Sequence, residues 1–187
     1  MRLLAALIQP GDVVWDVGAH HGYVTLCASR RVGEGGRVHA FEPSRRNRAL
    51  LERHVRWNNC RNISVHPFAL GVRDGEERLG GGRTSKSLAL GQGTEVVAVR
   101  AANTLVRQGV SAPPSFLKID VEGAEADVLA GIMDVLPREA RLFIEIHTSA
   151  CDKRCCELLV GAGFHLCVST GLKTRREGGR RYSNPDL

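Results

Sequence analysis

The sequence is short of aromatic residues, of long apolar runs and of Cys-x-x-Cys motifs. Only 5% of its 187 residues are aromatic, so aliphatic side chains must fill most of a core. No run of 18 apolar residues occurs, and we therefore expect no membrane span. The six cysteines include no Cys-x-x-Cys motif, which argues against a structural zinc site. With 43% hydrophobic residues, the composition predicts a folded domain rather than a disordered chain.

The length favours a single domain over residues 1–187, since domains average about 150 residues. Residues 1–11 resemble a signal peptide, but their short apolar stretch runs into a Pro-Gly turn, so we expect a short N-terminal helix. This interpretation predicts a cytoplasmic protein with reduced thiols. Cys27, Cys60 and Cys167 stand beside apolar residues and are expected to be buried.

The formal net charge of +6 is unevenly distributed. Residues 30–61 hold nine arginines against three glutamates, and a basic tail covers residues 171–187. Such basicity can serve an anionic partner, but few aromatic residues are present to stack on bases. We therefore expect solvated helix faces and no nucleic-acid partner, with the tail as the stretch most worth testing for one.

Strand-like and helix-like segments alternate along the chain. Short β-branched runs predict buried strands, and apolar residues three or four apart predict helices. Such alternation builds a mostly parallel sheet with helices on both faces, a Rossmann-like α/β fold. The predicted strands are 13–17, 37–41, 63–67, 115–121, 142–147 and 165–169, and the predicted helices are 22–29, 44–58, 124–136 and 151–162.

The alternation is interrupted at residues 76–100. Residues 76–79 and 94–100 can pair as an inserted hairpin. Between them, residues 80–87 are too rich in glycine for a regular element, which predicts a mobile loop or a flap over a substrate.

Acidic residues collect where the predicted strands end. Asp16 and Glu42 end the first two strands, Asp120 and Glu122 follow the fourth, and Glu145 follows the fifth. Ligands of parallel sheets bind beyond the carboxyl ends of the strands. These side chains therefore mark a candidate site.

The turn after the first strand reads Asp16-Val17-Gly18-Ala19-His20-His21-Gly22. A dinucleotide fold needs glycine where Asp16 stands, because a pyrophosphate approaches the helix there. A carboxylate instead suits a cationic or zwitterionic ligand such as S-adenosylmethionine. Glu42, 26 residues later, can accept hydrogen bonds from both hydroxyls of a ribose. Together the two carboxylates indicate an adenosyl ligand, although each can also serve a purely structural purpose.

Five segments follow one another in a characteristic order: Asp16 to Gly22, Phe41-Glu42-Pro43, Phe68-Ala69-Leu70-Gly71, Leu117-Lys118-Ile119-Asp120-Val121-Glu122-Gly123-Ala124-Glu125 and Leu142-Phe143-Ile144-Glu145-Ile146-His147. In this order they resemble the FkbM family of S-adenosylmethionine-dependent methyltransferases, from about residue 10 to about residue 164. The resemblance implies a class I methyltransferase fold with a seven-stranded sheet. It also implies, as a rule, O-methylation of a small-molecule or sugar-like hydroxyl.

The resemblance further implies a role for each matching residue. Asp16, Gly18, Ala19 and Gly22 would form the cofactor loop. Asp120 would face the methionine end of the cofactor. The remaining roles are the ribose for Glu42 with Pro43 beside it, and the adenine for Ala69.

Two features depart from the family's pattern. The family commonly shows Thr-Leu-Asp before the fourth strand, but this chain reads Asn103-Thr104-Leu105-Val106, so a carboxylate on the substrate side is missing. The chain also begins only about a dozen residues before the first strand, and we expect any N-terminal lid to be short or absent.

A methyltransferase that acts on a hydroxyl must align the acceptor, exclude water and take up a proton. His147 or Asp120 is the candidate base, unless Asp120 only binds the cofactor's ammonium group. Glu122 and Glu145 are candidate orienting residues, and Lys118 shares the strand face of Asp120. These side chains can instead gather a divalent metal, but the sequence does not fix their mutual distances, so we expect none.

We therefore expect a SAM-dependent O-methyltransferase that acts on a small-molecule hydroxyl. The arginine-rich faces leave RNA or protein methylation open. The missing carboxylate leaves open a non-catalytic scaffold that only binds S-adenosylmethionine. The Asn/Asp-Pro-Pro-Tyr/Phe signature of amino-group methylation is absent after the fourth strand, which argues against N-methylation of bases.

Overall fold

A parallel sheet forms the centre of the computed structural model, which describes residues 2–81, 88–90 and 93–167. Along the chain the elements are α1 (Arg2–Leu7), β1 (Val13–Val17), α2 (Tyr23–Val32), β2 (Arg37–Phe41), α3 (Arg45–Trp57), β3 (Ile63–His66), β4 (Phe68–Gly71), β5 (Gly75–Gly81), β6 (Leu88–Leu90), β7 (Glu95–Ala101), α4 (Ala102–Arg107), β8 (Phe116–Ile119), α5 (Glu125–Ile132), β9 (Arg141–Ile144) and α6 (Ser149–Gly161).

The central sheet has the strand order β3-β2-β1-β8-β9, and every neighbouring pair is parallel. The chain first builds outward from β1 through β2 to β3 and then returns to the other side of β1 with β8. The strand order therefore reverses between β1 and β8, which is where ligands of doubly wound sheets bind. The predicted Rossmann-like architecture is confirmed.

Side chains of β1 alternate between the two faces of the sheet. Trp15 and Val17 pack into a core with α4, α5 and α6, whereas Val14 packs on the opposite face with α1 and α2. Fully burying an aliphatic side chain such as Val17 contributes about 1.5–3 kcal/mol, so both cores hold the helices to the sheet. Asp16 is also fully buried, on the α2 face, where its carboxylate accepts a hydrogen bond from Thr25.

Hydroxyl side chains cap two helices that begin at the carboxyl edge of the sheet. Ser44 accepts a hydrogen bond from the backbone N–H of Asn47 at the start of α3. Thr148 caps α6 in the same way through the N–H of Cys151. Each cap of this type contributes about 1 kcal/mol and fixes where its helix begins.

A second sheet has the strand order β4-β7-β5-β6. Its strands β5 and β7 are antiparallel, with Glu76 opposite Ala98, so the hairpin predicted within residues 76–100 is confirmed. Strand β4 pairs with β7 and not with the central sheet. The implied seven-stranded sheet is therefore wrong for the described residues, in which the central sheet has five strands. Pro67, between β3 and β4, carries no N–H group and cannot extend the β3 ladder.

The final strand predicted at residues 165–169 is not formed over the described positions 165–167. Phe164 and Leu166 are half-buried against the core, while His165 and Cys167 are exposed, so the burial alternates as in a strand. No described strand pairs with this segment. Positions 168 and 169 lie outside the described residues.

The predicted burial of three thiols is also incorrect. Cys167 is exposed and Cys27 and Cys60 are only half-buried, whereas Cys151 and Cys155 are buried. The two buried thiols lie one helical turn apart on the inner face of α6, which explains their burial. Neighbouring apolar residues alone therefore do not identify which side of an element a cysteine occupies.

Four predictions from the sequence remain: one helix, the glycine-rich segment, the basic tail and the absence of a membrane span. The predicted helix 124–136 is realised as α5 followed by the 3₁₀ turn Met133–Val135. The glycine-rich residues 82–87 and the basic tail 171–187 lie outside the described residues. Within the part of the chain that the structure describes, no helix has the length and apolar character needed to cross a membrane.

Candidate active site

The loops that follow β1, β2, β8 and β9 meet at one edge of the central sheet. These four strands are neighbours in the order β2-β1-β8-β9, and their carboxyl ends point the same way. The sequence places acidic residues at or next to all four ends. The edge therefore brings together side chains that are more than a hundred residues apart in the chain.

Two glycines shape the loop after β1. Gly18 and Gly22 have φ angles of +76° and +87°, which side-chain-bearing residues rarely adopt. A β-carbon on Gly18 would also clash with the carbonyl oxygen of Asp120, and one on Gly22 would clash with the side chain of Leu51. The loop after β1 thus lies directly against the loop after β8.

Backbone hydrogen bonds fasten the β1 loop to the end of β2. The N–H groups of Gly18 and Ala19 both donate to the carbonyl of Phe41, each at 3.1 Å. His20, whose φ of +51° is unusual for a side-chain-bearing residue, donates its N–H to Oε2 of Glu42 at 2.7 Å. The conformation of the loop is therefore held by β2 and not only by its glycines.

Glu42 is buried at this edge, with only 5% of its surface exposed. Its second oxygen, Oε1, accepts the N–H of Ser44 at 3.0 Å. Burial raises the pKa of the Glu42 carboxyl, and the N–H groups of His20 and Ser44 oppose that rise. The Asn47 side chain is a third donor to this carboxylate. The two oxygens have about four lone-pair directions, so three donors leave one direction for a ligand hydroxyl.

The Lys118 ammonium contacts residues of both the β1 loop and the β8 loop. Its buried ammonium lies 2.9 Å from the carbonyl of Gly18, 3.1 Å from Oδ1 of Asp16 and 3.4 Å from Oδ2 of Asp120. Burial alone would lower the pKa of Lys118, but the two carboxylates outweigh it and raise that pKa. Thr25 donates its hydroxyl to the other oxygen of Asp16 at 2.6 Å. The Asp16 carboxylate is thus held inside the protein, where it fixes the loop.

A buried carboxylate and a histidine form the second half of the site. Nδ1 of His147 lies 2.7 Å from Oε1 of Glu125, whose side chain is fully buried at the start of α5. The N–H of Gly123 donates to the same oxygen at 2.7 Å. Burial would raise the pKa of Glu125, but these two donors outweigh it and lower that pKa. Glu125 is therefore an ionised acceptor.

The other nitrogen of His147 faces the loop after β8. Nε2 lies 3.7 Å from Oδ1 of Asp120 and 3.8 Å from Oε2 of Glu122. Burial would lower the pKa of His147, but the hydrogen bond to Glu125 and the surrounding carboxylates outweigh it and raise that pKa. The imidazole is thus placed to gain a proton among negative charges.

Glu145 joins this cluster from the end of β9. Asp120, Glu145 and His147 each offer one atom, and these atoms lie within 4.8 Å of one another. The structure thus supplies the mutual distances that the sequence did not fix, and the spacing is compatible with a divalent cation. Asp120 shares the Lys118 ammonium, at 3.4 Å, with Asp16, so one cation offsets only part of the charge of the two carboxylates.

Two further predicted site residues are Pro43 and Ala69. Pro43 is half-buried beside Glu42, and its carbonyl accepts a hydrogen bond from Arg48. Ala69 lies inside β4, buried, with Val99 of β7 as its register partner. Its place near an adenine is not tested by these contacts and stays a prediction.

Two residues that contact predicted site residues, Glu125 and Thr25, are not among those that the sequence predicts. Glu125 was noted only as part of the run 117–125, because an acidic residue at the start of a helix is usually a solvated charge. Thr25, which supports Asp16, was overlooked as an ordinary helix residue. Helical spacing is the signal that could have identified them. Thr25 lies on the buried face of α2 and Glu125 on that of α5, and a buried polar side chain requires a partner.

Residues 16–167 match the methyltransferase FkbM domain. This region contains all four loops of the site. The 31-O-demethyl-FK506 methyltransferase FkbM of Streptomyces tacrolimicus is 32% identical over 176 residues, which cover 75% of this chain and 67% of that protein. The hexuronic acid methyltransferase AglP of Haloferax volcanii is 28% identical over 168 residues, which cover 85% of this chain and 66% of that protein. The chain thus spans about two thirds of the length of these curated relatives.

A solved structure of a methyltransferase FkbM from Methylobacillus flagellatus shares the fold, with a TM-score of 0.59 at 19% identity over 85% of this chain and 44% of that one. At this identity the likeness supports the architecture alone. The domain match extends over most of the chain, and the curated relatives agree with it. This chain belongs to the FkbM family of methyltransferases.

Proposed function

We propose that this chain transfers a methyl group from S-adenosylmethionine to a hydroxyl of a small, sugar-like acceptor. The observation that carries the proposal is the contact between the loop after β1 and the loop after β8, at Gly18 and Asp120. The contact brings the glycine loop, which suits a cofactor, next to Asp120. His147, which suits proton transfer, lies 3.7 Å from Asp120 on the other side. The family membership supports the same reaction class.

The residues present fit an adenosyl cofactor. Gly18 and Gly22 leave two positions of the β1 loop without side-chain atoms, and Glu42 retains a lone pair for a ribose hydroxyl. Asp120 is the proposed partner of the cofactor's ammonium group. When bound, S-adenosylmethionine supplies an electrophilic methyl carbon, whose bond to sulfur breaks as a bond to the acceptor oxygen forms.

We assign the buried polar residues of β1 and β8 to support of this loop. Asp16 and Lys118 neutralise each other below it, and Lys118 also donates to the carbonyl of Gly18. With its donors directed at three protein groups, Lys118 is better placed to hold the loop than to contact a substrate. Asp16 acts through loop shape in the same way.

The acceptor side is proposed to use His147 as the base. Methyl transfer to a hydroxyl releases a proton, and the imidazole Nε2 lies 3.7 Å from Asp120 and 3.8 Å from Glu122. Glu122 and Glu145 would orient hydroxyl groups of the acceptor. The names of the two curated relatives, a hexuronic acid methyltransferase and a 31-O-demethyl-FK506 methyltransferase, favour a sugar-like or hydroxylated small molecule.

Two measurements test this proposal. Calorimetric titration should show that S-adenosylmethionine binds and that NAD does not compete, and tighter binding of NAD would refute the cofactor assignment. Transfer of tritiated methyl groups should then be screened over oligosaccharides, hydroxylated small molecules, peptides and RNA. Label in RNA or peptides would replace the proposed acceptor class. Binding without transfer to any acceptor would favour a non-catalytic scaffold.

A further inference from the structure

We propose that Glu125 is a positioning residue that holds His147 with its proton on Nδ1, so that Nε2 is the atom that accepts the acceptor's proton. The proposal rests on the proposed methyltransferase function and deepens it, because it chooses between His147 and Asp120 as the base. Neither the sequence pattern nor the family match assigns this role to Glu125.

The contacts around Glu125 restrict the position of its carboxylate. Its carboxylate is fully buried, and Oε1 receives two donors at 2.7 Å, the N–H of Gly123 and the imidazole of His147. Gly123 is fixed by its own φ of +105° and by the thiol of Cys151, which donates to its carbonyl at 3.1 Å. Glu125 therefore has little freedom to turn away from His147.

The hydrogen bond between His147 and Glu125 has a defined direction. An ionised carboxylate can only accept, so the nitrogen at 2.7 Å must carry a proton. Neutral imidazole has one N–H, which the contact assigns to Nδ1. The lone pair of the neutral ring is then on Nε2, on the side of Asp120 and Glu122.

One proton moves from the acceptor to His147 in this scheme. The acceptor hydroxyl loses its proton to the Nε2 lone pair of His147, and Nδ1 keeps its proton toward Glu125. The resulting imidazolium carries one positive charge beside the Glu125 carboxylate, which does not change its own protonation. The carboxylates of Asp120 and Glu122, which lie near Nε2, also favour the imidazolium.

Asp120 is less suited to the same task. One of its oxygens lies 3.4 Å from the Lys118 ammonium, which stabilises the carboxylate form over the acid it would become as a base. The ring of His147 instead lies against the carboxylates of Asp120, Glu122 and Glu125, which favour the protonated form that a base must reach. The geometry thus separates the two candidates that the sequence left open.

Nuclear magnetic resonance tests the tautomer without any acceptor. In the full chain labelled with ¹⁵N-histidine, the signals lost in His147→Asn identify His147 among seven histidines. We expect a protonated Nδ1 and an unprotonated Nε2 in the neutral ring. The opposite tautomer in the folded wild-type protein would overturn the proposal. This measurement stays decisive even if variants at the buried Glu125 fail to fold or the wild type transfers no methyl group.

Kinetics test whether Glu125 acts through His147. Glu125→Gln and His147→Asn should each lower kcat by about 10²–10⁴-fold, the range of general acid–base catalysis, with KM for S-adenosylmethionine within about twofold of wild type. The double variant should be no slower than His147→Asn alone. The matched control Glu157→Gln, exposed on α6, should keep full activity. A further large loss in the double variant, or activity that is abolished by a chelator and restored by Mn²⁺, would refute the role.

Discussion

Asp16 of β1 and Lys118 of β8 are register partners on neighbouring parallel strands, and their buried side chains form an ion pair of 3.1 Å. Both side chains point to the same face of the sheet, toward α2. The pair sits at the point where the strand order reverses, directly below the glycine loop. The loop that we assign to the cofactor is therefore built on a buried charge pair.

Removing the Lys118 charge should destabilise the fold strongly. Lys118→Met leaves the Asp16 carboxylate buried with Thr25 as its remaining donor, and loss of one partner of a buried pair costs about 3–5 kcal/mol. Urea denaturation measures this loss in free energy of unfolding. Lys153→Met, at an exposed lysine of α6, should change stability by less than about 1 kcal/mol. A Lys118→Met protein as stable as that control would show that the pair is dispensable, and adding Asp16→Asn should recover part of the loss.

Gly18→Ala should abolish cofactor binding through a steric clash. Two costs apply there: a positive φ and the clash of the new β-carbon with the carbonyl of Asp120. Gly109→Ala is the matched control, since Gly109, which follows α4, also has a positive φ, of +69°, but open space around it. The control should lose about 1–2 kcal/mol of stability and bind S-adenosylmethionine normally. Equal effects of the two substitutions would mean that close approach of the loops is unimportant.

Substitution of Glu42 should weaken the cofactor rather than the chemistry. Glu42→Ala removes the acceptor proposed for a ribose hydroxyl, at an expected cost of about 1–3 kcal/mol in binding free energy. Calorimetric titration with S-adenosylmethionine measures this change. Glu52→Ala, at a partly exposed position of α3, serves as the control. Unchanged affinity in folded Glu42→Ala would remove Glu42 from the cofactor site.

A buried histidine pair should make the fold sensitive to mild acid. His39 and His66 lie 3.0 Å apart on β2 and β3, and His66 stacks on Phe41. Burial, with a smaller contribution from His39, lowers the pKa of His66 to about 4 from 6.5. The unfolded chain therefore binds more protons between these values, so stability is present above pH 6.5 and is lost as the pH falls toward 4.

Urea denaturation at several pH values between 4.5 and 7 measures this loss. The slope contributed by one such histidine approaches about 1.4 kcal/mol per pH unit. His66→Phe, which keeps the aromatic stack, should flatten the profile relative to wild type. The variant is compared with wild type because Glu42 contributes to both profiles. Burial raises the pKa of Glu42, so its effect on stability in this pH range has the opposite direction. Parallel profiles for the two proteins would contradict the prediction.

The sequence predicted the central sheet and much of its site because periodicity and strand-end positions are local properties. Asp16, Glu42, Asp120 and Glu145 were recognised from their places after β-branched runs, and the structure brings these strand ends to one edge. The opposed charges of Asp16 and Lys118 were visible too. Their pairing became evident only when register placed them side by side.

The rest depended on tertiary contacts that local patterns do not reveal. The role of Glu125 follows from its complete burial and from the approach of His147, 22 residues away. The departure of β4 from the central sheet follows from its pairing with β7, a partner some thirty residues later. Cys167 was misjudged because its neighbours Phe164 and Leu166, not Cys167, face the core.

The most direct test of hydroxyl methylation is to identify the bond that holds the transferred methyl group. Wild-type protein should move tritiated methyl from S-adenosylmethionine onto a hydroxylated sugar, and the label should survive mild alkali, as a methyl ether does. His147→Asn should reduce that transfer by about 10²–10⁴-fold while binding S-adenosylmethionine as the wild type does. Label that alkali releases as methanol would reveal a methyl ester, whose carboxylate acceptor needs no base. That result, or full activity in His147→Asn, would contradict hydroxyl methylation by this site.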